Sequence, residues 1–206
     1  MKRTIVPVSL FALALALAGC ASGPEPGAST EAPHGHSSMG VDHGSASPSS
    51  EAVVDHNAAD ATFARMMIPH HQQAVQMSET ILAKDGIDAP VVELANKIKA
   101  AQGPEIGTMT GWLEAWGEPV ESGSMDHSME GMMSDADMAK LRQAEGDEAA
   151  ALFLTQMIAH HKGAVQMAQT EVAEGSNPEA LALAQKIVQD QEAEIKTMEE
   201  MLPAYQ

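Results

Sequence analysis

The sequence predicts an all-α protein, a four-helix bundle assembled from two duplicated αα-hairpins and preceded by a disordered N-terminal stalk. Internal repetition is the first reason. MIPHHQQAVQM, Met67 to Met77, recurs as MIAHHKGAVQM, Met157 to Met167, with eight of eleven positions identical at an offset of 90. Phe63 and Phe153 extend the match upstream. Downstream, Lys97-Ile98, Glu105-Ile106, Thr108-Met109 and Leu113 reappear at an offset of 89 as Lys186-Ile187, Glu194-Ile195, Thr197-Met198 and Leu202. The second reason is periodicity, since no useful length of chain alternates apolar and polar residues with a period of two. The third is punctuation: glycine and proline fall where helices stop and start. A hairpin that cannot bury its apolar stripe alone pairs with its copy, which gives a bundle with pseudo-twofold symmetry.

Residues 1–20 read as an export signal: a charged Met1-Lys2-Arg3, an apolar stretch from Ile5 to Leu17, and small residues before Cys20. The apolar stretch is shorter than the roughly 20 residues a spanning helix needs, so the mature chain is expected to lack a transmembrane helix. Leu17-Ala18-Gly19-Cys20 resembles the bacterial lipoprotein cleavage box. That resemblance implies lipidation at Cys20 and a membrane-anchored protein in the periplasm or at the cell surface; the alternative is an ordinary secretory signal with an incidental cysteine. Residues 21–57 are rich in Gly, Pro, Ser and Ala and poor in large apolar side chains, the composition of a flexible stalk. Within it, His34, His36, Met39, Asp42 and His43 are possible metal donors or low-complexity filler.

The bundle is assigned to residues 58–206, with hairpin one at 58–118, a Met/His loop at 119–133 and hairpin two at 134–206. The first helix is expected from about Asp60 to Lys84, stopped by Asp85-Gly86, and the second from Pro90 to about Trp116, stopped by Gly117. Ser134 caps a short lead-in helix, Asp147 caps a long helix to Glu174, and Asn177-Pro178 opens the last, which ends before Pro203. Pro69 inside the first helix frees the carbonyl of Arg65, and Gly103-Pro104 bends the second.

Composition narrows the function. Lys and Arg number 11 against 29 Asp and Glu, a formal charge of −18 with histidine neutral, which repels polyanions and argues against a nucleic-acid partner. A single cysteine excludes an intramolecular disulfide framework and a zinc site of several cysteines. Aromatic residues make up only 3%, whereas there are 15 methionines and 9 histidines, so soft and borderline metal donors replace rings.

Helical spacing puts Met66, His70 and Met77 on one stripe, with Met67 and His71 about 100° around from it. The second copy repeats the set with Met157, His160, His161 and Met167. Met109 and Met198 occupy equivalent places on the partner helices, and Met201 follows Met198 by one turn. Taken singly, these methionines read as core filler. The two histidine pairs, repeated at the same place and flanked by methionines, read as metal ligands, and the surrounding thioethers join them as candidates. Thioether with imidazole favours Cu(I), and by extension Ag(I), over magnesium, calcium or manganese; Cu(II) is also admitted. A second cluster, SMDHSMEGMM, offers Met125, His127, Met129, Met132 and Met133 as weaker donors, read as exposed on a loop. Coordination needs neutral imidazole, so affinity is expected to fall as pH drops through roughly 6.5.

With these residues named, the chain resembles the CopM-like copper-binding family, catalogued as a domain of unknown function in the ferritin-like group. The shared pattern is Met-x-x-His-His-x-x-Ala-x-x-Met, met by Met67, His70, His71, Ala74 and Met77 and again by Met157, His160, His161, Ala164 and Met167. The resemblance spans about Asp60 to Leu202. It implies a four-helix bundle, export, and copper binding in homeostasis or resistance. Pro69 and Gly103-Pro104 depart from it without removing a donor.

The reading is therefore a non-catalytic copper buffer or chaperone, exchanging ions with unidentified donor or acceptor proteins and touching a membrane only through a lipid. A metal-dependent redox enzyme is the competing class. It would need Glu-x-x-His on two core helices, and the sequence has that spacing only at Glu31 to His34, in the stalk. A metal-free scaffold is the third.

Overall fold

The computed structural model describes residues 55–120 and 129–206. The export signal with Cys20, the stalk donors His34, His36, Met39, Asp42 and His43, and Met125 and His127 lie outside them. The described residues form α1 (Ala58–Leu82), α2 (Ala89–Trp116), α3 (Asp135–Gln143), α4 (Gly146–Glu174) and α5 (Pro178–Met201), followed by a 3-10 turn, Leu202–Tyr205. Among them there is no strand, and no helix is long and apolar enough to cross a membrane.

Local chemistry sets the helix ends. Asn57 accepts from the backbone N–H groups of Ala59 and Asp60 while Asp60 accepts from the Asn57 N–H, a reciprocal cap that starts α1 two residues before the expected Asp60. Pro90 occupies the first turn of α2, and Gly117, with φ of 71°, closes it by letting the Glu118 N–H reach the Leu113 carbonyl. Ser134 caps α3 and Asn177 caps α5, as expected. Asp147 does not cap α4: it lies in the first turn, where its charge meets the positive helix end, and Glu145 holds the cap position without a side-chain bond. α1 and α2 both continue through Pro69 and Pro104.

α1 and α4 run antiparallel through the middle of the bundle. Asn57 at the start of α1 donates to the Glu174 carbonyl at the end of α4, and Lys84 just past α1 donates to the Arg142 and Ala144 carbonyls leading into α4. α2 packs on α1 and α5 on α4. Their apolar faces make two clusters, one toward each end. The first holds Met77, Met157, Met198, Ile81 and Phe153; the second holds Met67, Met109, Phe63 and Leu113, with Met167 packed against it. Each cluster takes one motif methionine from each hairpin, as a twofold relation between α1 and α4 requires.

Two features break that symmetry. α3 lies against α1 and α4 at one end, adding Met138 and Leu141 to the first cluster. At the other end, buried Asp60 and Glu171 stand where the opposite copy has Ala150 and Ile81. Burial pushes Asp60 upward, but hydrogen bonds from Asn57, Asn177, Ser176 and Glu171 outweigh it and bring its pKa to about 2. Burial and the neighbouring Asp60 raise Glu171 to about 8, so at neutral pH Glu171 carries the proton between them.

A group whose folded pKa is raised keeps its proton while the unfolded chain has lost it. Between pH 4.5 and about 8 the folded state therefore binds more protons, and this group's contribution to stability falls as pH rises through that window. Glu171→Gln, which fixes the protonated shape, is expected to flatten the slope and to exceed the parent by about 1 to 3 kcal/mol at pH 8. Urea denaturation at pH 5, 6.5 and 8 checks this; parallel pH profiles for the two chains would show that Glu171 is already ionised.

Candidate metal centre

The two His-His pairs meet where α1 crosses α4. His70 and His160 face each other with ring centroids 3.7 Å apart and planes inclined by 39°, and the rings of His160 and His161 are 6.4 Å apart. All four imidazoles are fully buried. Placing two consecutive histidines on each helix turns one ring of each pair to the axis and the other toward the outer helices, because neighbouring residues differ by about 100°.

The outward members are held by glutamates. His71 Nε2 lies 2.9 Å from Glu105 Oε2 on α2, and His161 Nε2 lies 2.9 Å from Glu194 Oε2 on α5. Each carboxylate is completed by a lysine from the other hairpin: Lys186 Nζ reaches Glu105 Oε1 at 3.2 Å, and Lys97 Nζ reaches Glu194 Oε1 at 3.3 Å. Lys-Glu-His thus occurs twice, crossing between hairpins. A carboxylate only accepts, so it selects the tautomer with the proton on Nε2 and leaves Nδ1 as a free lone pair. Sequence reasoning used the Glu105 and Glu194 positions as repeat markers and gave them no role.

Both nitrogens of His70 and of His160, and Nδ1 of His71 and of His161, are buried without a hydrogen bond of acceptable geometry. Buried polar atoms are normally paired, so six such nitrogens in one layer mark a place built for a ligand. Burial, then the neighbouring His71 and His161, bring the His70 pKa down to about 3, with the Glu130 carbonyl pulling slightly the other way. Burial, then His70, holds His160 well below the usual range, and burial lowers His71 despite Glu105. These rings are neutral, the coordinating form, throughout the physiological range. Exposed imidazole titrates near 6.5, the pH around which affinity is expected to fall, and burial places His70 well below it.

The layer is covered on one side by the end of the interhairpin connection. Gln73 exchanges two hydrogen bonds with the Met133 backbone, at 2.9 and 2.7 Å. Gly163, the repeat equivalent of Gln73, lies under Glu130 and Gly131; a Cβ there would overlap the Glu130 carbonyl. A Cβ on Gly131, whose φ is 85°, would lie 2.9 Å from the Ala159 and His160 carbonyl oxygens. Met129, Met132 and Met133 are consequently half-buried, not exposed, and Met133 packs against the first apolar cluster. The long-range meeting of two glycines draws this stretch onto the bundle. On the opposite side, buried Gln102 and Gln191, again repeat equivalents, line a 100 Å3 slot with Glu105 and Glu194.

The structure brings His70, His71, His160 and His161 into one layer. It places Met77, Met157 and Met198 in the apolar cluster at one end and Met67 and Met109 in that at the other, all fully buried. Met66 and Met167 are half-buried and line a surface groove, and Met201 packs at the edge of the first cluster. Among the described residues, no three His, Cys, Asp or Glu side chains converge on one ion position. Imidazoles thus lie in the layer and thioethers in the apolar clusters on either side of it, donor types that suit monovalent copper or silver better than an oxygen-seeking cation.

No curated protein sequence is significantly similar to this chain. Solved structures are. A DUF305 protein from Streptomyces coelicolor is 38% identical with a TM-score of 0.67, over 71% of this chain and 92% of that one. A DUF305 fragment from Deinococcus radiodurans is 32% identical with a TM-score of 0.66, over 72% and 97%. CopM in its Cu(I)-bound form is 33% identical with a TM-score of 0.62, over 71% and 96%, and CopM is also known in Cu(II)-bound, silver-bound and metal-free forms. The model of the family described as a domain of unknown function, DUF305, matches residues 60–202, most of the bundle, and the chain belongs to that family.

Proposed function

We propose that this protein binds monovalent copper outside the cytoplasm, with silver as a mimic, and acts as a buffer or chaperone in copper homeostasis or resistance. The observation that carries the reading is the layer of four buried imidazoles with six unpaired nitrogens. The copper and silver forms of CopM, at about one-third identity, support it. Copper here is cargo. His70 and His160 offer nitrogens at the axis, while Glu105 and Glu194 keep Nδ1 of His71 and His161 available and make those rings better donors. Met67, Met77, Met109, Met157 and Met198 supply thioethers from either side. Met129, Met132 and Met133 on the crossing segment, with Met125 and His127 before it, are proposed as weaker donors. Binding and release need no bond-making step, so the reading is non-catalytic.

Location and organisation belong to the same proposal. Residues 1–20 direct export, Cys20 takes the lipid, residues 21–57 tether the bundle, and 58–118, 119–133 and 134–206 are the two hairpins and their connection. The Streptomyces relative, described as secreted, is consistent with that placement.

His70→Ala with His160→Ala is expected to leave the helical circular dichroism nearly intact and to weaken the tightest Ag(I) binding at least tenfold in a competition titration; unchanged affinity would make these histidines structural. Parent affinity for Cu(I) is expected to hold from pH 7 to pH 5, because His70 stays neutral to about pH 3. A steep loss between those values would indicate exposed ligands. Glu105→Gln with Glu194→Gln keeps an acceptor but removes the charge, and is expected to lower affinity by about ten- to a hundredfold, read by the same competition.

A further inference from the structure

The twofold relation predicts an equivalent, at the opposite end of the bundle, for the seat that α3 occupies. α3 sits in a seat formed by the start of α4 and the end of α1, where Gln156 donates to the Asp137 carbonyl at 3.1 Å and Lys84 to the Arg142 and Ala144 carbonyls. Met138 and Leu141 fill it beside Ile81 and Phe153. The equivalent place at the other end lies between the start of α1 and the end of α4. Among the described residues it is an open groove of 420 Å3, lined by Thr62, Phe63, Met66, Met167, Glu171 and Glu174 among others. In the sequence, Pro48 and Glu51 stand at the α3 offset before α1, in place of Met138 and Leu141.

The exchanges between the two sites share a direction. Where the filled seat has Gln156, the groove has Met66; where it has Ile81, the groove has Glu171; where it has Lys84, the groove has Glu174. An amide, an alkyl group and a cation have become a thioether and two carboxyl groups. Phe63 and Met167 keep their counterparts Phe153 and Met77. Glu171 is 1% exposed and is engaged in a hydrogen bond with Asp60. The groove has lost the groups that hold a helix and gained a thioether, Met66, that lines it together with Met167.

We propose that this groove is an outer binding site for a soft monovalent cation, Cu(I) or Ag(I), held by the thioethers of Met66 and Met167. It rests on the reading that the histidine layer is the ion's destination. Met66 stands four residues before His70 and Met167 seven after His160, about 6 and 10 Å along their helices. Met167 also packs against the buried cluster of Met67 and Met109, so thioethers line the way from the groove inward.

The test uses the full-length chain carrying 13C-labelled methionine methyl groups, titrated with Ag(I), with signals assigned by single Met→Leu substitutions. The Met66 and Met167 methyl signals are expected to shift together and saturate, both in the parent and in His70→Ala with His160→Ala. Met66→Leu with Met167→Leu is expected to lose the equivalent of a single silver ion by metal analysis. Signals of Met66 and Met167 that stay still while other methyls respond, or an unchanged silver count in the double leucine chain, would overturn the site. The interior reading fails separately, if the histidine substitutions leave the silver count and the tightest affinity untouched while the groove signals still shift.

Discussion

Four buried imidazoles packed between two antiparallel helices are the constraint around which the bundle is organised. Apolar side chains would fill that layer at lower cost, since each unpaired buried nitrogen forgoes a hydrogen bond it had in water. The remainder of the fold compensates. Glu105 and Glu194 engage the outward rings, Lys186 and Lys97 neutralise those carboxylates from across the bundle, and two apolar clusters close the ends. Burial keeps His70 and His160 neutral, so the layer holds lone pairs in place of charge.

Duplication explains how such a layer arises from one motif. Placing identical helices antiparallel brings each His-His pair opposite its copy at no extra sequence cost, and places each partner-helix glutamate correctly for its own histidine. The lysines then bind the hairpins together, because each reaches the other hairpin's carboxylate. The copies also differ. Gln73 and Gly163, equivalent positions, both serve the segment Met129–Met133, one by hydrogen bonds and the other by leaving room. Asp60 and Glu171 replace an apolar pair at the end away from α3.

The all-helical fold was legible because repetition, periodicity and caps agree over long stretches. The resemblance drawn from the doubled His-His motif led to the right family. What the sequence hid depends on contacts between distant residues. Glu105 and Glu194 serve only as repeat markers until their histidines, 34 and 33 residues away, are seen beside them. The half-burial of Met129, Met132 and Met133 depends on Gly131 meeting Gly163, which no local pattern signals. The acid resistance of His70 follows from burial, and a sequence offers only the unperturbed value. Asp147 was misplaced as a cap because a first-turn acid and a capping acid share one preference for the helix start.

X-ray absorption at the copper edge of the Cu(I)-loaded protein separates a histidine layer that binds from one that merely packs. Outer-shell scattering characteristic of imidazole, diminished when His70 and His160 are replaced, is the expected result. A tightest-bound copper surrounded by sulfur alone, with a spectrum indifferent to those replacements, would contradict it.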